Sequence, residues 1–454
     1  MKDRYILAGF SFLMAMLTYW ASNHIFFWDT VQFAGRHGNW YYSEGLLSGL
    51  LPEHLDSGHP PTFGIYLAGV YRLFGRSLSV AHFAMLPFLI LNVGYAFGVG
   101  KLILKERFWT YILAMIMCPL YLGHSVLVSP DIILVTGFLA SLFGIMSNNK
   151  KHLVAGSILL SLISVRGMIV LFLLGLYCLL CSNKHQNKIH IRLREILPFF
   201  LPAILLFSSF QLWHVWQTKW IGFHSDSPWS SSFNIVTGKD LIYQTGLYVW
   251  RLLDFGMVII YMAILFFIKN FKRPHFSLHI LLIILIVGLG IITVPFSGLI
   301  NHRYYLPIQL ISLLWMLHLT RQKNLILVLG LIGVMGLGNF IIYPDKIAQG
   351  WDSTAAHWPF YQLEEDMHNY IVNNSEINSP IGTAYPVRGK RQFLDPASTY
   401  PGYANYDLST DKYILYSNIM NDFTDREIDE LRSSWKKVHH LESKGVKMIL
   451  YQRQ

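Results

Sequence analysis

Charge is scarce in this chain: Asp, Glu, Lys and Arg make up 14% of its 454 residues, against roughly a quarter in an ordinary globular protein. So little charge could not cover two or three water-soluble domains, which excludes that reading of the length. Cysteine is rarer still. Cys118, Cys178 and Cys181 all fall in apolar segments, so there is no disulfide framework. Cys178 and Cys181 share a helix face, but no second ligand pair stands near them to complete a zinc site. Acids are fewer than bases, 26 against 36, giving a formal charge of +10. The bases are spread over short loops instead of being gathered together. The excess therefore reads as membrane topology and affinity for anionic lipid, not as a nucleic-acid footprint. No nucleic-acid partner is expected.

What the chain has in abundance is apolar surface: 53% of it is hydrophobic and 15% aromatic. A helix needs about 20 mostly apolar residues to cross a bilayer. Candidate runs are 5–22, 78–100, 108–123, 127–147, 152–165, 167–183, 196–214, 245–268, 277–297, 304–320 and 323–343, eleven in all. The first lacks a small-x-small cleavage site and is read as an anchor, not a signal peptide. The expected fold class is an α-helical polytopic membrane protein with about eleven transmembrane helices.

Basic residues mark every second loop: Lys2 and Arg4; Lys101, Lys105 and Arg107; Lys150 and Lys151; Lys184, Lys188, Arg192 and Arg194; Lys269, Lys272 and Arg273; Arg321 and Lys323. These loops are expected in the cytoplasm, with the N-terminus inside and the C-terminus outside. Two outward segments are too polar to span, a first loop at 24–62 and a second at 213–244. Within and after the first loop, Glu44–Leu55 and Thr62–Gly75 have the pattern of short amphipathic helices lying on the membrane. After Tyr343-Pro344 the composition turns polar. Residues 344–454 are read as a small α/β domain on the outer face, following a membrane domain at 1–343. Its helices are expected near 357–373 and 425–436, and strands near 412–416 and 446–451.

Ionisable groups are costly at membrane depth, so their positions carry information. Those on the outward side fall into a few motifs: Phe27-Trp28-Asp29-Thr30, Asp56-Ser57-Gly58-His59-Pro60-Pro61, Ser129-Pro130-Asp131, Arg166 and His302-Arg303-Tyr304-Tyr305-Leu306-Pro307. Asp29 directly follows the first run and could act as a general base or bind a divalent metal, or simply flank a helix. His59 could hold phosphate or metal, while Asp56 and the two prolines equally suit a capped turn. Asp131 after Pro130 fits a helix N-terminus as well as a functional carboxylate. Arg166 and Arg303 suit phosphate, with Tyr304 as a hydroxyl donor, or snorkel to headgroups. His214, His224, Asp226 and Asp240 match no metal signature and read as solvated or substrate-adjacent.

In order, these motifs resemble the GT-C class of glycosyltransferases. The run from Phe27 to Phe33, with Asp56-Ser57-Gly58-His59-Pro60-Pro61, looks like the first outer loop of the protein O-mannosyltransferases. There an Asp-Glu pair ends the first span and Asp-x-His-Pro-Pro closes the loop. The bacterial aminoarabinose transferases that modify lipid A are similar, with an acid-Lys-Pro-Pro version. Ser129-Pro130-Asp131 resembles a second acidic motif, and Arg303-Tyr304-Tyr305-Leu306-Pro307 the Arg-Tyr motif of the bacterial branch. Thr30 stands where the family carries Glu, and Asp56 is one residue further from His59 than in the mannosyltransferases.

The resemblance implies a lipid-linked-sugar transferase of a bacterial inner membrane. Asp29 would be its base, and His59, Arg166, Arg303 and Tyr304 its donor-phosphate ligands. Asp56 and Asp131 would be candidate ligands of a divalent metal ion, the one cofactor considered. Expected partners are a polyprenyl-phosphate sugar donor, membrane lipids, and a glycan, lipid or protein acceptor. A flippase of lipid-linked glycans is the alternative. It would want charge at the membrane midplane and repeat symmetry, and neither is evident in the sequence.

Overall fold

The structure, a computed structural model, describes residues 2–181, 189–221, 230–268, 278–347, 349–377 and 379–454. Lys184, Lys188, His224, Asp226, Lys269, Lys272 and Arg273 lie outside these residues, and so does the side chain of Arg192. The N-terminal part is helical: α1 (Lys2–Ala21), a π-helix (Val31–His37), α2 (Gly38–Glu44), α3 (Thr62–Phe74), α4 (Leu78–Leu104), α5 (Trp109–Met117) and α6 (Pro119–Ser125). There follow α7 (Pro130–Ser147), α8 (Lys150–Ile163), α9 (Val165–Cys181), α10 (Ile189–Thr218), α11 (Lys239–Leu253), α12 (Met257–Phe267), α13 (Leu278–Thr293), α14 (Leu306–Thr320) and α15 (Leu325–Gly336).

Every one of the apolar runs contains helix, but two expected single spans are broken. The run 108–123 divides at Cys118, which is extended (φ −63°, ψ 122°) before Pro119. Proline drives the preceding residue out of the helical region and cannot itself donate to the ladder. The run 245–268 bends by 83° between α11 and α12. There Phe255 and Gly256 adopt φ of 50° and 83°. The Asp254 carboxylate holds the bend: it accepts the Phe255 N–H at 2.8 Å and the Tyr343 hydroxyl, and lies 2.7 Å from His302 Nε2. By length and composition, Leu78–Arg107, Pro130–Ser147 and Leu193–Thr218 could each cross a membrane, and the bent pair would make a fourth. Val165–Cys181, Leu278–Thr293 and Leu325–Phe340 are shorter apolar helices.

The helices cross closely where side chains are small. On α7 and α8, a Cβ on Gly156 would lie 2.6 Å from the Ser141 nitrogen and one on Gly144 2.4 Å from the Leu153 nitrogen. Small residues of this kind let apolar helices approach in lipid. Ends of like character gather. Lys101 pairs with Asp3 at 2.7 Å and Arg107 donates to the Lys323 carbonyl at 2.8 Å, so several basic loops share one end. Thr62–Phe74 is the expected helix, with Leu73 and Phe74 exposed. Glu44–Leu55 is not. The helix stops at Glu44, because Gly45 and Gly49 take positive φ and Pro52 follows.

The tail carries α16 (Pro359–Asn373), α17 (Asp425–Ser434) and a five-stranded sheet. Its strands are β1 (Ile381–Thr383), β2 (Ala404–Asn405), β3 (Tyr413–Ser417), β4 (Trp435–Ser443) and β5 (Val446–Arg453), in the order β2-β1-β3-β5-β4. The β1 strand is parallel to β2 and β3, and the other pairs are antiparallel. The tail seats on the end of α1: Phe26 N–H donates to the Leu394 carbonyl at 2.8 Å, and Phe27 stacks on His357 with centroids 4.6 Å apart.

Its segment 351–354 also presses on α6 at Gly123. A Cβ there would meet backbone atoms, the Thr354 nitrogen at 2.7 Å and the Asp352 oxygen at 2.9 Å. Gly123→Ala is therefore expected to cost about 1–3 kcal/mol, read as a lowered melting temperature. An unchanged melting temperature would show that the segment yields freely.

Candidate active site

Five segments far apart in sequence meet at one end of the helices. The turn after α1 supplies Asp29, the first turn of α7 Asp131, and the first turn of α9 Arg166. The turn before α14 supplies Arg303 and Tyr304, and the tail supplies Asp352. Arg303 is at the centre. Its guanidinium contacts Asp29, binds Asp352 at 2.5 Å and approaches Asp131 at 3.8 Å. Arg166 holds the other oxygen of Asp131 at 2.6 Å. Both arginines stand over the Tyr304 ring, at 4.2 Å for Arg166 and 5.3 Å for Arg303. Local rules place Asp131: Pro130 opens α7, and the Ser129 hydroxyl, not Asp131, caps it by accepting the Asp131 N–H at 3.2 Å. That leaves the carboxylate of Asp131 for the two arginines.

Asp29 keeps a third of its side-chain surface exposed (34%), whereas Asp352 (11%) and Arg303 (7%) are enclosed. Burial pushes the Asp29 carboxyl up, against the pull of Arg303. At Asp352 burial is outweighed by Arg303 and His124, which hold it below the ordinary range. His59 lies beside this group. Its Nδ1 accepts the Val165 N–H at 3.5 Å, one residue from Arg166, which assigns the ring proton to Nε2. The crevice next to it is lined by Phe33, Ser57, Pro60, Pro130, Ser164 and Arg166.

Asp56 is placed elsewhere than expected. Its carboxylate lies 2.7 Å from His214 Nε2 on α10 and accepts the Gly58 N–H at 2.8 Å. His214, read from the sequence as solvated or substrate-adjacent, is buried and paired with Asp56. Among the described residues no three His, Cys, Asp or Glu side chains come together as a metal site. The donor set also fits a metal poorly: Asp131 and Asp29 face guanidinium groups, and Asp56 a histidine. Three members of the site were missed. Asp352 and His357 lie beyond the composition break at 344, and His124 lies inside an apolar run. His124 comes within 4.0 Å of Asp352, and neither of its buried ring nitrogens finds a hydrogen-bond partner among the described residues. The only sequence signal was faint: Trp351-Asp352 repeats the dipeptide Trp28-Asp29.

Histidines around the site give it a pH dependence. Burial lowers His37, His59 and His357 to about 4, 3 and 4. In the folded chain they stay neutral where the unfolded chain, with imidazoles near 6.5, takes up protons. Below about pH 6.5 the unfolded state thus binds more protons, and stability falls with pH by about 1.4 kcal/mol per unit for each imidazole until its folded value is reached. The melting temperature in detergent should drop steadily from about pH 6.5 to about pH 4, with a shallower slope in His59→Gln. A flat profile would show that these rings are protonated in the folded protein.

The helices gather charged side chains at one end, and the α/β tail supplies Asp352 to the same group. Two solved structures match over nearly the whole chain. ArnT from Cupriavidus metallidurans bound to undecaprenyl phosphate has a TM-score of 0.54 and 11% identity, covering 98% of this chain and 97% of its own. The same protein in the apo state has a TM-score of 0.54 and 11% identity, with 99% and 98% covered. The resemblance read from the motifs is thus matched by the fold. No family model matches the sequence, and no curated protein does.

Proposed function

We propose that the chain is a glycosyltransferase that moves a sugar from a polyprenyl-phosphate donor to an acceptor at the outer face of a bacterial inner membrane. The observation that carries this reading is the meeting of a half-open Asp29 with Arg303, Arg166 and Tyr304 at one end of the helices. The likeness to a fold solved with undecaprenyl phosphate supports it. In this reading Asp29 takes the proton of the acceptor as its oxygen attacks the anomeric carbon. The bond from that carbon to the phosphate oxygen breaks on the opposite face, so the anomeric centre inverts. Negative charge grows on the departing polyprenyl phosphate. Arg303 and Arg166 each present several N–H donors, so they can serve this phosphate while keeping their carboxylates. Neutral His59 adds its Nε2–H, and Tyr304 its hydroxyl. A raised Asp29 carboxyl is the stronger base for this task.

The test uses the full chain in nanodiscs, a panel of radiolabelled polyprenyl-phosphate sugars and a crude envelope extract. At least one donor should give transfer, with inverted anomeric configuration in the product by NMR. A folded protein that neither binds nor turns over any donor would overturn the reading and favour the flippase.

A further inference from the structure

We infer that Arg36 and Tyr385 form a second anion subsite, on the tail side of Asp29, that takes a phosphate group carried by the acceptor. This rests on the transferase reading above. Arg36 lies on the π-helix Val31–His37, a rare geometry that often marks functional sites. The tail locks that helix in place: a Cβ on Gly35 would fall 2.0 Å from the Phe393 carbonyl oxygen, so only glycine allows this approach. The Arg36 guanidinium then sits 5.5 Å from the Phe393 ring centre. Its Nε is buried without a hydrogen-bond partner, and no carboxylate pairs with it among the described residues.

Every other arginine nearby is engaged. Arg303 and Arg166 hold Asp29, Asp352 and Asp131, Arg388 holds Asp422 at 2.7 Å, and Arg391 holds Glu364. The inner group of three aspartates and two arginines already carries one excess negative charge. A second anion beside it therefore needs a cation of its own, and Arg36 is the one left over. Leaving the Nε–H of a guanidinium buried and unmatched is costly, and an entering oxyanion would match it.

Tyr385 completes the pair. Its ring meets Trp28 edge-on at 5.8 Å, and among the described residues its one hydrogen bond to a side chain is from its backbone N–H to Asp422, not from its hydroxyl. Burial first and then the carboxylates of Asp29 and Asp352 keep its hydroxyl protonated, so it can donate to an oxyanion. The tail neighbours of Arg36 are Gly389 and Phe393, whereas His59, Arg166 and Tyr304 stand among the helices. The subsite is thus suited to a group arriving from the water side. An acceptor phosphate held there would set its hydroxyl toward Asp29.

The probes are radiolabelled glycerol phosphate, neutral glycerol, and undecaprenyl phosphate, each bound to the full chain in nanodiscs. Wild type should bind glycerol phosphate but not glycerol, with undecaprenyl phosphate already in place. Arg36→Gln should weaken glycerol phosphate on the order of tenfold or more, Tyr385→Phe severalfold, and Arg36→Lys least. Affinity for undecaprenyl phosphate should stay unchanged in all three. Equal glycerol phosphate binding by wild type and Arg36→Gln, or none by wild type, would overturn the subsite. So would an equal loss of undecaprenyl phosphate affinity in Arg36→Gln, which would move Arg36 to the donor. If wild type bound glycerol phosphate through Arg36 yet never bound undecaprenyl phosphate, the subsite would stand and the donor reading would fall.

Discussion

Asp29→Asn is expected to lower sugar transfer by roughly two to four orders of magnitude while donor affinity changes little. The amide keeps the size of the carboxylate and can still accept from Arg303, but it cannot take a proton. Arg303 retains Asp352 at 2.5 Å and Asp131 at 3.8 Å, so the site should stay assembled and the variant folded. Asp352 is the natural competitor for the role of base, since it shares the same arginine. It is enclosed, and Arg303 with His124 holds its carboxyl low, so it is both hidden from an acceptor and the weaker base. Asp352→Asn should therefore leave turnover far closer to wild type than Asp29→Asn does. Single-turnover rates of the two variants with a saturating donor decide between them. Equal rates in wild type and Asp29→Asn would remove Asp29 from the chemistry.

The helices were legible because a run of apolar residues needs no partner to be recognised. Where the helices stop was less so. Pro119 and Gly256 were visible as breakers, but each lies in a run whose apolar content continues on both sides. The bend at Asp254 depends on His302 and Tyr343, 48 and 89 residues away, and no local pattern reports such contacts. In the tail, β3 and most of β5 are buried and read as apolar strands, whereas β4, Trp435–Ser443, is polar and nearly all exposed or half-buried. An edge strand of that kind hides its periodicity behind its polarity. The site divides the same way. Asp29, Asp131, Arg166 and Arg303 could be found because a charge next to an apolar run stands out. Asp352 could not, because in the polar tail one more aspartate is ordinary until the fold brings it to Arg303.

Arg303 carries the second large effect, this one on stability. It is the contact shared by Asp29, Asp352 and Asp131, and it is nearly enclosed. Replacing it with Met keeps most of the volume and removes the charge. Three carboxylates would then face one another with Arg166 as their nearest cation, bound to Asp131 alone. Removing one partner of a buried ion pair costs about 3–5 kcal/mol, because the remaining charge is left uncompensated. Arg303→Met should therefore melt well below wild type and transfer no sugar. The electrostatic account makes a further demand. Adding Asp352→Asn to Arg303→Met removes one of the stranded charges, so the double variant should be more stable than Arg303→Met alone, although still inactive. Melting temperatures of the two single variants, the double variant and wild type close a cycle that isolates the coupling. A double variant no more stable than Arg303→Met would mean that Arg303 holds the site by packing and hydrogen-bond geometry, not by balancing its carboxylates.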